Sequence, residues 1–192
     1  MTSEVQLVSE EELIERAKGG NKKAFGSLVK TYQDMVFTLA CRTLGDKSTA
    51  EDIAQDAFVR AWQALPAFKA KAKFSSWLYR ITLNVCYTEL RRQQKPVDVI
   101  PEDELDLMRF SGEKTSNFDS LIDKQDLVDR LIDDLPPIFR SIIVLHYLEN
   151  LDCKEISAVL GRPVGTVKAY LHRARARLRC RAEQLLKTRS SS

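Results

Sequence analysis

Six prolines, Pro66, Pro96, Pro101, Pro136, Pro137 and Pro163, constrain this chain more than any other feature. Between them apolar residues recur at three- and four-residue spacing, and the first half contains no β-type alternation of any length. Proline lacks a backbone donor and its ring clashes with the preceding turn, so each one marks a plausible boundary. The chain therefore reads as all-α. Leu13, Ile14 and Ala17 begin an amphipathic segment that stops at Gly19-Gly20. Asn21 caps an expected second helix to about Leu44, with Phe25, Leu28, Val36 and Leu39 on its apolar side. Ser48 and Glu51 read as the capping box of a third, running to Leu65. A fourth is expected from about Ser75 to Gln94. Phe74, Trp77, Leu78, Ile81 and Val85 form its inward stripe, and Arg80, Asn84, Tyr87 and Arg91 the opposite one.

Helical spacing weakens after Lys95 and returns at Leu121, Ile122, Leu127 and Leu131, then from Pro136 through Leu148. The charge pattern divides the chain in the same way. The net charge of +3 over 192 residues conceals +4 over residues 1–95, −8 over 96–134 and +8 over 161–192. Two small helical domains, 1–95 and 121–192, joined by a flexible acidic linker at 96–120, account for both patterns. The basic end is a candidate for phosphate contact.

The acidic N-terminus lacks the basic and apolar regions of a signal peptide, and no apolar run approaches the ~18 residues of a membrane helix. The expected compartment is the cytoplasm. Cys41, Cys86, Cys153 and Cys180 are dispersed without a CxxC pair, so they read as reduced packing thiols. With His146 and His172 the only histidines, no metal site is expected. Nor is any cofactor, since no Gly-rich phosphate loop or nucleophile elbow occurs. No catalytic set is present, and the chain does not read as an enzyme.

The most specific local signal spans Asp152–Leu178. Asp152 and Glu155 cap a short helix ending at Leu160, Gly161 suits a left-handed turn, and Pro163 blocks continuation before Gly165 or Thr166 opens a second helix. This is a helix-turn-helix pattern. Val167, Leu171, Ala174 and Leu178 point inward. Lys168, His172, Arg175 and Arg179 form an outward row, with Ala169, Arg173 and Arg177 beside it. A recognition helix needs apolar anchors on one side and donors for bases and phosphates on the other. The competing reading is a solvated cationic face.

Two further constellations stand in the first half. A basic loop, Phe68–Lys73, adjoins Phe74, Trp77, Tyr79 and Tyr87, and rings beside cations suit unstacked single-stranded DNA. Phe74 and Trp77 fall on the core stripe, so Tyr79 and Tyr87 are the rings expected to be exposed. On the third helix, Ile53, Ala57 and Ala61 face the core and leave Asp52, Gln55, Asp56 and Phe58 outward. Such a face is ordinarily only solvated; its functional alternative is docking on a basic protein surface.

Taken in order, these blocks resemble a bacterial RNA polymerase sigma factor of the extracytoplasmic-function (ECF) group. AEDIAQDAFVRAW and FSSWLYRITLNV look like sigma region 2, and LPPIFRSIIVLHYLENLDCKEISAVLGRPVGTVKAYLHRARARL looks like region 4. The resemblance implies that Asp52, Gln55, Asp56 and Phe58 dock on the clamp helices of core RNA polymerase. It implies that Lys69, Lys71, Lys73 and Ser75 in the loop bind and melt the −10 promoter element, with Tyr79, Arg80, Asn84, Tyr87 and Arg91 along the helix. Thr166, Lys168, Ala169, His172, Arg173 and Arg175 would read the −35 element, and the apolar surface at Ile142–Leu148 would meet the polymerase flap. Further implied partners are promoter DNA and an anti-sigma factor, soluble or membrane-anchored.

One departure bears on specificity. Many members carry Ser-Arg after Gly-Thr-Val-Lys, where this chain has Ala169-Tyr170. The remaining alternative is a stand-alone helix-turn-helix regulator. Such a protein needs neither the EDIAQDAF face nor the FSSWLYRI block.

Overall fold

The computed structural model describes residues 8–70, 72–93 and 131–189, with side chains as far as residue 184. The acidic linker, the segment around Leu121–Leu127 and Lys71 lie outside the described residues. No strand occurs among the described residues. The helices are α1 (Glu10–Lys18), α2 (Lys22–Leu44), α3 (Lys47–Ala64), α4 (Phe74–Arg92), α5 (Pro137–Ile143), α6 (Cys153–Leu160) and α7 (Val164–Arg189). A 3-10 turn, Leu65–Ala67, follows α3, and α5 runs into a π-helical turn, Val144–Leu148.

Local chemistry sets most helix ends. Asn21 Oδ1 accepts from the amides of Lys23 and Ala24 at 3.0 and 3.1 Å, closing the N-terminus of α2. Gly45 ends α2 in the left-handed region at φ 72°, and Gly161 ends α6 likewise at φ 63°. Asp152 and Glu155 form a full capping box on α6. At α3 the expectation needs correction. The cap is Asp46, which accepts from Thr49 N at 2.9 Å, two residues before Ser48. An aspartate directly after the left-handed glycine is already extended, so it takes the cap role first.

The first domain packs α1–α4 around Leu28, Val36, Ala40, Leu78 and Leu90. Ala50, Ala57 and Ala61 on α3 are fully buried, and their small side chains bring α3 close to α2 and α4. Rings gather at one end: Phe68 lies 5.0 Å from Trp77 and 5.7 Å from Phe74 between centroids, and Tyr32 lies 5.3 Å from Phe74. Cys86 is buried here, and burial pushes its thiol up to about 12. None of the four cysteines is paired.

The second domain packs α5, the π turn, α6 and α7 around Phe139, Ile142, Ile156, Val167, Leu171 and Leu178. Its core does not close on itself. Leu39 from α2 and Tyr79 and Leu83 from α4 belong to the same buried cluster. Truncating Leu39, which is fully buried at this junction, to Ala should therefore cost about 2–5 kcal/mol, read from urea unfolding. The Asp152 carboxyl is held below its usual range by the amides of Glu155 and Lys154. A lowered carboxylate contributes stability above its unfolded pKa and loses it as pH falls through the folded one. Asp152→Ala should thus lower the urea midpoint at neutral pH, with the gap from wild type closing at acid pH.

Candidate nucleic-acid interface

The exposed donors of α4 follow from its register. Arg80, Asn84 and Arg91 stand on the solvent side at four- and seven-residue steps, and Lys69 and Lys73 are exposed in the preceding loop. Ser75, in the first turn of α4, is half-buried. A cleft lined by Phe68, Lys69, Ser76, Trp77 and Arg80 opens beside this stripe, with Ala158 and Val159 of α6 as its far wall.

Tyr79 and Tyr87 do not share that exposure. Tyr79 is 3% exposed and its hydroxyl donates to the carboxylate of Glu149, just past the π turn. Burial first, and then Glu149, push its phenol above the ordinary value, so it remains a donor. Tyr87 is half-buried and donates to Ser141 Oγ at 3.0 Å. Both rings lie where the second domain covers α4, which is why a helical wheel of α4 alone leaves them outward.

On α7 the outward row also divides. Lys168 and His172 are exposed, and Thr166 and Ala169 are half-buried. Arg173 is 7% exposed, so its place in an outward row is corrected. Arg175 turns back onto its own domain. Its Nε donates to Tyr147 Oη at 2.7 Å and its guanidinium carbon lies 5.5 Å from the Tyr147 ring centre. Its second amino group approaches His146 Nε2 at 3.3 Å, while His146 Nδ1 is 2.9 Å from the Leu151 carbonyl. A carbonyl only accepts, so His146 carries its proton on Nδ1 and accepts from Arg175. The π turn places His146 and Tyr147 side by side for this role.

The α3 face is largely as expected. Asp52 and Gln55 are exposed, and Asp56 pairs with Arg60 at 2.9 Å. Phe58 is only half-exposed and packs against the core. Val59, absent from the expected set, is 53% exposed. The signal was present: Val59 stands three and four residues beyond Asp56 and Gln55, off the Ile53, Ala57, Ala61 stripe.

The segment expected to meet the flap is largely buried. Ile142, Ile143, Val144 and Leu145 are buried, leaving Leu148, at 45% exposure, as the large apolar group of that segment open to solvent. Among the described residues no helix is long and apolar enough to cross a membrane.

A stripe of donors after a basic loop, followed by a capped helix-turn-helix, has a family counterpart. The model of sigma-70 region 2 matches residues 28–95, and that of sigma-70 region 4 matches residues 125–178. The chain is 34% identical to the ECF RNA polymerase sigma factor SigW of Bacillus subtilis over 179 residues, covering 86% of this chain and 92% of that protein. It belongs to the ECF group of the sigma-70 family. The ECF RNA polymerase sigma-E factor of Escherichia coli K12 is 32% identical over 189 residues, 95% of this chain and 98% of that one. Among solved structures, CnrH in complex with the cytosolic domain of CnrY is 30% identical. It covers 91% of this chain and 97% of that one, with a TM-score of 0.64. This chain is an alternative sigma factor, directing RNA polymerase to promoters, and the stand-alone regulator is not favoured.

The geometry separates residues free to meet DNA from those that hold region 4 together. His172→Ala should shift unfolding by no more than ~0.5 kcal/mol, as for an ordinary surface position. Arg175→Ala should cost about 1–3 kcal/mol, because the half-buried Tyr147 and His146 lose a charged partner. Paired urea titrations of the two variants check this.

Proposed function

We propose that this sigma factor meets promoter DNA through two separate faces and polymerase through a third. Arg80, Asn84 and Arg91, with Lys69, Lys71, Lys73 and Ser75 at their head, hold the −10 strand. Thr166, Lys168, Ala169 and His172 read the −35 element. Asp52, Gln55 and Asp56 dock on the clamp helices, with Val59 as an apolar contact in their midst. The observation that carries this reading is the exposure of two donor rows, one on α4 and one on α7, each backed by a buried apolar stripe.

Arg173 and Arg175 act in this scheme by setting the position of α7 rather than by touching bases. Phe58 anchors the α3 face from beneath. Tyr79 and Tyr87 belong to the −10 surface only when region 4 is withdrawn from α4. The chain divides functionally at 1–95, 96–120 and 121–192, works in the cytoplasm and acts by binding rather than by catalysis. Control by an anti-sigma factor is part of the proposal; CnrH, to which the chain is similar, is known in complex with the cytosolic domain of CnrY.

Run-off transcription with core polymerase on a randomised promoter library tests the whole scheme. It should yield transcripts from a defined motif, and failure to co-elute with core polymerase would sink it. Lys168→Ala should weaken promoter binding and lower the slope of log K against log salt by about 1, with the unfolding midpoint unchanged. An unaltered slope removes Lys168 from the interface.

A further inference from the structure

The first domain closes one end of its core with rings, and the loop assigned above to the −10 strand springs from that end. Phe68 stands immediately before residues 69–73 and Phe74 immediately after them, and both are buried. Their rings meet edge to face at 5.7 Å between centroids, which ties the two ends of the loop together. Trp77 backs the pair, 5.0 Å from Phe68 and 5.4 Å from Phe74. Between the tied ends the backbone is strained. Ala70 sits at φ 51°, in the left-handed region that a Cβ disfavours. Such a conformation persists only where its surroundings hold it in place.

Part of that hold comes from outside the loop. Tyr32, on α2, packs its ring on Phe74 at 5.3 Å. Tyr32 is only half-buried, and its hydroxyl donates to Glu10 Oε2 at 2.5 Å, in the first turn of α1 and 22 residues earlier in the chain. Burial first, and then Glu10, push the phenol well above its ordinary value, so it remains a donor across the neutral range. α1 in turn packs on α2 and on the 3-10 turn Leu65–Ala67 that feeds Phe68. Contacts therefore run from Glu10 through Tyr32 and Phe74 to Phe68 and the loop. The outer links are peripheral to the core: Glu10 is exposed, and Tyr32 packs at the edge of the buried cluster.

We propose that Tyr32, fixed by Glu10, is a positioning residue for promoter opening: it presses Phe74 against Phe68 and so sets the shape in which Lys69, Ala70 and Lys73 receive the −10 strand. The inference deepens the −10 assignment above and rests on it. Neither Tyr32 nor Glu10 touches DNA in this scheme. A tilted ring pair is directional, so a ring at position 32 fixes the plane of Phe74 as an aliphatic side chain does not. The bond to Glu10 keeps that ring from swinging off Phe74. A loop already held in its bound shape loses less freedom when the strand arrives. The effect belongs to the step in which the loop grips an unstacked strand, and the duplex contacts of α7 do not depend on it.

Promoter opening by the holoenzyme tests it, read as permanganate reactivity of unpaired thymines around −10 at saturating holoenzyme. Duplex-promoter affinity and the urea midpoint of the full-length factor are measured beside it. Tyr32→Leu should slow opening about tenfold or more, as a misplaced group does, while duplex affinity changes by less than about twofold. Tyr32→Phe keeps the ring and loses the bond, and should slow opening about threefold, the worth of one net hydrogen bond. Glu10→Ala should match it. Glu10→Gln keeps an acceptor oxygen in place and should return opening to near the wild-type rate. A merely structural role would lower the urea midpoint and both promoter readouts together, and that outcome overturns the proposal. So does wild-type opening in Tyr32→Leu. Should Tyr32→Leu misfold, unchanged opening in both Tyr32→Phe and Glu10→Ala overturns it instead. Unchanged opening in a Lys69→Ala, Lys73→Ala double variant sinks the −10 assignment itself, and this inference with it.

Discussion

Leu39, Tyr79 and Leu83 belong to the first domain by chain position, yet they complete the hydrophobic core of the second. That shared burial governs the rest of the structure. It brings α6 onto α4, which places Glu155 beside Lys73 and Glu149 beside Tyr79. It also leaves the α3 face and the α4 donors Arg80, Asn84 and Arg91 on the outside. A small helical domain has a large ratio of surface to volume and few ways to bury a full core alone. Borrowing three side chains from its neighbour is one solution, and it ties the state of one domain to the position of the other.

Helix order, the capping box at Asp152 and the glycine turn at Gly161 were legible because each is decided within a few residues. The third helix shows the limit of that locality. Asp46 and Ser48 are both good caps two positions apart, and only the left-handed Gly45 immediately before Asp46 decides between them. The burial of Tyr79 and Tyr87 was not legible, because the partner of each comes from more than fifty residues away along the chain, and Ile142–Leu145 are buried in a core drawn from four other helices. The same is true of Arg175. Its spacing puts it in line with Lys168 and His172, but the π turn supplies Tyr147 and His146 and draws it back.

Charge behaves similarly. The +8 of residues 161–192 suggests a uniform cationic helix, yet its arginines serve different ends. Arg175 bridges to the π turn, Arg177 lies over the Phe139 ring at 5.4 Å, and Arg181 pairs with Asp134 at 2.7 Å. Guanidinium groups stack and hydrogen-bond in fixed planes, so they can act as structural struts as well as phosphate contacts. Net charge along a segment therefore counts the donors available to DNA only after those struts are subtracted.

The length of α7 has an evolutionary consequence. Its 26 residues make a rod of about 39 Å, of which only the first few turns carry the proposed reading row. Arg175, Leu178 and Arg181 moor the rest to three separate pieces of the domain, so the rod's tilt is set well away from the bases. Under the proposed reading, substitutions at Lys168, Ala169 or His172 would change which promoter is addressed without disturbing that mooring. Descendants of one such gene can diverge in regulon through a handful of codons while inheriting an unchanged scaffold.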